Sequence, residues 1–143
     1  MVGETLFTSP WTTIDREHLA QFAWATYLDP EYTDLTVSRN NPLGPDLVDG
    51  FMLLSLLTAL HFNNSTFESE GLYGLNYGMD RVRFISPVFV GEPIRCVTVL
   101  TSVEDRGQGQ MMVKTTNTLE VQGRDKPAMV ADWLSLFFRP EQA

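Results

Sequence analysis

The sequence has few of the residues from which metal, disulfide and nucleophilic sites are built. Its 143 residues include one cysteine and two histidines. The cysteine, Cys96, cannot form an intramolecular disulfide, and we expect it to be a small buried side chain. No Cys/His cluster has the spacing of a metal site, and no glycine-rich phosphate loop follows a strand. The sequence therefore predicts no metal and no cofactor.

Positive charge and long apolar runs are also scarce. Ten Lys and Arg residues stand against eighteen Asp and Glu residues, for a formal net charge of -8, which repels a nucleic-acid backbone. The longest apolar run, from Phe51 to Leu60, is half as long as the ~20 residues that a membrane span needs. Residues 1–5 lack a basic region followed by an apolar one, so we expect no signal peptide and a cytoplasmic protein.

The first half of the chain predicts two helices separated by a loop. A hydrophobic content of 43% is typical of one globular domain, predicted over residues 1–143. Within residues 13–26, Leu19 and Phe22 have the spacing of one helical face, and Asp15 can cap the first turn. Residues 27–45 are polar and contain two prolines within four positions, which predicts a long loop or a short helix between loops.

The second half predicts an antiparallel sheet. From Asp49 to Phe62 the chain is apolar on nearly every side of a helix, so we expect other elements to cover it all round. Four strand candidates follow this helix, at 72–85, 93–104, 110–121 and 129–138. A short edge strand at 6–8 precedes both helices. Short loops favour antiparallel hairpins. The predicted class is α+β, with a sheet rolled around one buried helix, the hot-dog arrangement.

Particular residues within this frame resemble the MaoC-like (R)-specific enoyl-thioester hydratase and dehydratase family. Phe22-Ala23 closes the first helix, as in the family. Asp49-Gly50 opens the second helix, where the family has a His-Gly pair, and Ser55 matches a family serine. The segment 80–94 is similar to the family's strand, Pro-Val turn and entry to the next strand. The match spans residues 14–138. It implies a dimeric lyase that acts on an acyl thioester of coenzyme A or a carrier protein.

The catalytic loop of the family departs from its pattern here. The family uses an Asp and a His five residues apart, which hold a water and pass protons to and from the substrate. No histidine stands between His18 and His61. Without a gap, the family Asp falls on Leu28, next to Asp29, and the family His falls on Thr33. Alternatively, Asp29-Pro30 matches the Asp-Pro that follows the family His, and the pair is deleted. The sequence does not choose between these alignments.

Three residues are candidates for catalysis, each with a structural alternative. Asp29 is a candidate acid or base, although an Asp before Pro commonly opens a turn. Asp49 replaces the motif histidine, and its alternative is the N-cap of the second helix, where it could compete with a thioester oxygen for N–H donors. Ser55 orients the loop in the family, but can bond a carbonyl one turn back. We expect His61 to cap the far end of the helix.

The candidate binding residues lie around the second helix. The resemblance assigns the Gly50 N–H to the thioester oxygen as it gains charge. By the same resemblance, we expect Phe51 and Trp24 near the substrate and Asn76 and Tyr77 on the strand that faces the acyl pocket in the family. Core packing explains the aromatic residues equally well.

Three functional hypotheses follow from this combination. The first is a MaoC-like hydratase or dehydratase with altered catalytic residues. The second is an isomerase or cyclase of a biosynthetic, polyketide-like pathway that uses the apolar pocket. The third is a non-catalytic subunit of a heterodimeric hydratase. The resemblance implies a homodimer, with a heterodimer as the alternative.

Overall fold

The expected order of elements is confirmed. The structure is a computed structural model that describes residues 1–29, 31, 41–64 and 73–138. The elements, in chain order, are β1 (Thr5–Thr8), α1 (Arg16–Ala25), a 3-10 turn (Asn41–Leu43), α2 (Gly50–Asn64), β2 (Tyr73–Phe84), β3 (Ile94–Gly107), β4 (Gln110–Val121) and β5 (Met129–Phe138). None of the described helices is both long and apolar enough to cross a membrane.

The strands form one antiparallel sheet in the order β1-β3-β4-β5-β2. Tight turns join β3 to β4, so these strands pair over almost their whole length. The inward positions of β3, β4 and β5 alternate with outward ones, as a sheet with one covered face requires. The α+β class and the hot-dog arrangement are therefore confirmed.

Helix α1 begins and ends where its side chains predict. Asp15 Oδ1 accepts the His18 N–H at 2.8 Å and caps the first turn. The Thr26 hydroxyl donates to the Phe22 carbonyl at 2.8 Å and closes the last turn. Leu19 and Phe22 pack against the core, so α1 covers one edge of it.

Helix α2 packs on the inner face of the sheet. Its buried residues are Met52, Leu53 and Leu57, and they pack in one cluster with sheet residues that include Leu119. Burial of each such side chain stabilises the fold by about 1.5–3 kcal/mol. Cys96 is fully buried in the same cluster, as predicted.

Within this single chain, helix α2 is not covered on every side, so that expectation is wrong. Phe51 is 66% exposed and Phe62 is 81% exposed, and the exposed Ser55 and Thr58 lie on the same helical face. Five strands of one chain cover one side of the helix and leave this face open.

The prediction that His61 caps the end of α2 is also wrong. The helix continues to Asn64, whose side-chain amide donates to the Leu60 carbonyl at 2.9 Å. His61 instead faces the sheet, where its Nε2 lies 2.7 Å from Asn117 Oδ1. Its rotational position on the helix, rather than its distance from the helix end, decides its partner.

Candidate functional site at the start of helix α2

The segment that leads into α2 is held against neighbouring elements. The Arg16 guanidinium lies 2.9 Å and 3.0 Å from the two carboxylate oxygens of Asp46. The Asp46 carbonyl accepts the Val90 N–H, and the Val48 N–H donates to the Val88 carbonyl, both at 2.8 Å. These contacts fix the first turn of α2 beside the connection between β2 and β3.

Asp49 is the N-cap of α2. Its carboxylate accepts the Phe51 N–H at 2.7 Å, and its carbonyl accepts the Met52 N–H at 3.0 Å and the Leu53 N–H at 3.2 Å. The Phe51 and Met52 bonds satisfy two of the four N–H groups that open a helix, and the Leu53 bond is the first bond of the regular helical pattern. The structural alternative predicted for Asp49 is confirmed.

The Gly50 N–H is left without an acceptor among the described residues. The competition predicted at this donor does not occur, because Asp49 binds the next N–H along the chain. Position 50 also has little room for a side chain, since a Cβ there would lie 3.1 Å from the Phe84 ring. Phe84 in turn meets Phe51 edge to face, with ring centroids 6.1 Å apart.

A cavity of about 430 Å³ opens at this helix end. Asp49, Gly50 and Phe51 line it, and its other lining residues are Leu43, Leu47, Val48, Leu53, Phe84, Ile85, Ser86, Pro87, Val88 and Ala128. Asp49 is the only ionisable group among its described lining residues. We call this space the entrance cavity. The sequence did not point to Phe84, because its contact with Gly50 arises only when β2 packs beside α2.

A second cavity of about 340 Å³ lies between α2 and β2. Ser55, Asn76 and Tyr77 all line it, and the mostly buried Trp133 forms part of its wall. The Ser55 hydroxyl donates to the Phe51 carbonyl at 2.8 Å, which is the intrahelical bond predicted as its alternative. We call this space the strand cavity.

Two predicted site residues are not brought into either cavity. Asp29 accepts the Glu31 N–H at 2.9 Å, as a turn-forming aspartate does. Trp24 is 64% exposed on α1. Neither is among the described residues that line the cavities. Pro30 and Thr33, on which the two loop alignments depend, lie outside the described residues.

An apolar helix packed on an antiparallel sheet, with a helix start that opens into a cavity, defines a hot-dog domain. The chain belongs to the MaoC-like domain family, because residues 1–122 match the family model described as MaoC like domain.

Named relatives agree with this membership. Nodulation protein N of Rhizobium leguminosarum is 35% identical over 138 residues, which cover 94% of this chain and 85% of the relative. The 3-hydroxyacyl-thioester dehydratase Z of Mycobacterium tuberculosis is 38% identical over 136 residues, covering 91% and 86%. The HadBC 3R-hydroxyacyl-ACP dehydratase complex of M. tuberculosis has a chain with a similar fold. Its TM-score is 0.70 at 19% identity, with 95% of this chain and 96% of that chain covered.

Proposed function

We propose that this chain is a hydro-lyase that adds water to, or removes water from, an acyl thioester carried by coenzyme A or a carrier protein. The observation that carries the proposal is the position of Asp49. Asp49 and Gly50 both line the entrance cavity, the Asp49 carboxylate accepts the Phe51 N–H, and the Gly50 N–H has no acceptor among the described residues. Likeness to a 3-hydroxyacyl-thioester dehydratase supports the substrate class.

In this proposal the Gly50 N–H binds the thioester oxygen. The start of α2 carries the positive end of the helix dipole, which favours an oxygen that gains negative charge. A fixed N–H donor of this kind acts without reorganisation during the reaction. Asp49 leaves this donor available, because its own bond is to the Phe51 N–H.

Asp49 is the proposed acid and base. In dehydration, its carboxylate takes the proton from the α carbon, and the electron pair moves onto the thioester oxygen at the Gly50 N–H. When the double bond forms, the bond between the β carbon and the hydroxyl breaks, and the hydroxyl takes the proton from Asp49 and leaves as water. Hydration is the reverse. One carboxylate thus replaces two groups, and we expect slower turnover than an Asp/His pair supports. Asp29 stays the alternative base.

The strand cavity is the proposed site for the acyl chain. Its lining includes Leu54, Leu57 and Trp133, which suit an apolar chain. Ser55, Asn76 and Tyr77 supply the polar groups of the same wall. Phe51 lines the entrance cavity, and we place Trp24 against the part of the substrate that lies outside both cavities.

The proposed assembly is a homodimer through β2. This strand has 12 residues and lies at the edge of the sheet, so it presents hydrogen-bonding groups to another strand. Leu75 on β2 is 55% exposed, and the open face of α2 carries Phe51 and Phe62. A second copy at this edge would cover apolar surface and enclose the strand cavity. A cytoplasmic location, predicted above, stays part of the proposal.

The test follows the absorbance of the conjugated enoyl thioester after addition of purified protein, with crotonyl-CoA and longer chains. We expect a loss of absorbance that Asp49→Asn reduces about 100-fold. Asparagine caps a helix as well as aspartate does, so the melting temperature should not change. Asp29→Asn tests the alternative base and should keep the activity if Asp49 is the acid and base. An Asp49→Asn protein as active as the parent would refute the assignment.

A second candidate function is that of a non-catalytic subunit. It rests on the absence of any histidine between His18 and His61 in the sequence, which leaves the family's pair incomplete. A supporting result is no turnover alone, but a stable complex with a MaoC-like chain that carries the Asp/His loop. No described residue favours the isomerase or cyclase hypothesis. It stays a prediction, which saturable thermal stabilisation by an apolar ligand would support.

A further inference from the structure

The indole of Trp133 lies between the sheet and helix α2. Trp133 is 8% exposed and follows Met129 and Ala131 on the inward positions of β5. Its ring meets the ring of His61 on α2, with centroids 4.6 Å apart and planes at 67°. The Trp133 side chain therefore points to the inner face of the sheet, away from solvent.

Trp133 also forms part of the wall of the strand cavity. It is the only residue of β5 among the described lining residues, and the others come from α2 and from residues 76–79 of β2. Met79 pairs with Trp133 across the two strands, so both side chains lie on the same face of the sheet. Leu57, which is 1% exposed, lines the cavity from the helix. The buried end of the cavity is therefore apolar.

His61 restricts the position of the indole. Its Nε2 lies 2.7 Å from Oδ1 of the fully buried Asn117, and Phe7 packs edge to face on its ring, with centroids 5.1 Å apart. The His61 ring is thus held on two sides. A close-packed interior leaves the adjacent indole little room to move aside, so a ligand that reaches Trp133 meets a fixed wall.

The strand cavity is small for a ligand site. Its volume of about 340 Å³ lies near the lower limit of ligand pockets, which range from about 300 to 1,000 Å³. Trp133 belongs to the hydrophobic core cluster, so a chain that extended past the indole would have to displace core residues. The cavity therefore suits a short chain.

We propose that Trp133 limits the acyl chain to about four to six carbons, and that His61 is the residue that positions the indole for this role. The inference rests on the proposed function, which places the acyl chain in the strand cavity. A longer chain leaves its terminal methylenes unburied, because the indole occupies the space that they need. His61, which the proposed reaction does not use, thereby takes part in substrate selection.

The test is calorimetric titration with four saturated thioesters, which cannot be hydrated: butyryl-CoA, hexanoyl-CoA, octanoyl-CoA and decanoyl-CoA. In the parent, the Kd should fall from butyryl-CoA to hexanoyl-CoA and fall no further. Trp133→Leu should bind decanoyl-CoA about tenfold more tightly than the parent does. Trp11→Leu is the matched control, because Trp11 packs on Arg95 and is not among the described lining residues of either cavity. It should bind like the parent.

Met79→Trp tests the same wall without removing a core side chain. Met79 is 37% exposed and faces Trp133, so a second indole there should shorten the space for the chain. We expect hexanoyl-CoA to bind about fivefold more weakly than to the parent, with butyryl-CoA unchanged. If Trp133→Leu does not fold, this variant decides the role of the wall, and unchanged binding of hexanoyl-CoA would overturn it.

Two variants test the positioning role of His61. His61→Ala removes the ring beside the indole, so we expect tighter binding of decanoyl-CoA than in the parent. His61→Phe restores a ring at this place and should restore the chain-length limit of the parent. A merely structural role of His61 would lower stability without changing the order of the four Kd values. The parental order in His61→Ala would therefore overturn the positioning role.

The chain-length profile and the turnover separate this inference from the proposed function. The parental profile in Trp133→Leu would overturn the inference, as would failure of the parent to bind any of the four thioesters. A short-chain limit that Trp133→Leu relaxes, without turnover of crotonyl-CoA, would support the inference and refute the hydro-lyase function. Turnover of crotonyl-CoA with Kd values that keep falling up to decanoyl-CoA would support the function and overturn the inference.

Discussion

A polar group at the start of helix α2 has no partner among the described residues, whereas the polar side chain near its end is paired. At the first turn, Asp49 and the Gly50 N–H face a cavity, and the Gly50 donor has no partner among the described residues. Near the last turn, His61 lies in a network of partners. Polar groups that are already paired stabilise a fold, whereas a fixed donor with an open position is available to a ligand. The proposed function uses the first end of the helix, whereas the paired groups near the second end stabilise the fold.

The hydrogen bonds of Asn117 fix which groups donate and which accept in the network at the second end. The amide nitrogen of Asn117 donates to the Ala131 carbonyl at 3.2 Å and to the Thr115 hydroxyl at 3.0 Å. Since a carbonyl only accepts, the Asn117 oxygen must face the other way, where it accepts the Thr98 hydroxyl at 2.8 Å. His61 must then donate its Nε2 proton to the same oxygen.

The largest expected effect comes from removing the Gly50 donor. Gly50→Pro deletes the N–H, at a first helical position that accepts proline. We expect a loss of hydratase activity of about 100-fold relative to Gly50→Ala, measured by the enoyl absorbance. Gly50→Ala is the matched control, because it places a Cβ against the Phe84 ring and retains the N–H. Equal activity of the two variants would mean that this N–H does not bind the thioester oxygen.

The next largest effect should come from Asn117→Ala at the other end. The change leaves the Thr98 hydroxyl, His61 Nε2 and the Ala131 carbonyl without their partner in the core. Each such group costs about 1–3 kcal/mol, so we expect a loss of roughly 3 kcal/mol in the free energy of unfolding, measured in urea. The control is Asn63→Ala, which removes an asparagine side chain at an exposed position of α2. Equal stability of the two variants would contradict the proposed division between the two ends.

The smallest expected effect is a pH dependence from His61. Burial lowers the pKa of His61 below its ordinary value of 6.5, against the opposing effect of its bond to Asn117. Below pH 6.5 the unfolded chain therefore takes up a proton that the native chain does not, and stability falls as the pH falls. The groups around the ring from the other elements are uncharged: Phe7, Thr98, Asn117 and Trp133.

Unfolding in urea between pH 7.5 and 5.5 measures this dependence. His61→Gln should remove the part of the slope that begins near pH 6.5, and the loss of stability should be smaller than that caused by Asn117→Ala. A slope that persists in His61→Gln would assign it to other groups.

The helix caps and strand boundaries were predictable from the sequence, but the residues that pack around each of them were less predictable. The caps at Asp15 and Asp49 and the β4 and β5 boundaries follow from a few adjacent residues. The errors concern which side of α2 is covered. His61 was expected at a helix end and faces the sheet, and Phe51 was expected in a covered helix and is largely exposed. Hydrophobic pattern alone cannot orient a helix that is apolar on nearly every side.

The candidate site likewise contains residues that were predicted from the sequence and residues that were not. Asp49 and Gly50 were predicted from the resemblance, in which a His-Gly pair opens the second helix, and both line one cavity. Asp29 was predicted by its position in the loop, and its described contact is that of a turn. Phe84 had no signal in the sequence, because its contact with Gly50 arises only when β2 packs beside α2.

The sequence by itself determined the order of helices and strands, the caps and the absence of a histidine from the catalytic loop, because each depends on residue type and short-range spacing. Only the tertiary structure decided which donors and charges have partners. Those partners come from distant segments: the sheet pairs His61 with Asn117, and Arg16 on α1 pairs with Asp46 before α2. Hydrogen bonds and ion pairs act over a few ångströms, so their pattern is set by packing rather than by position along the chain.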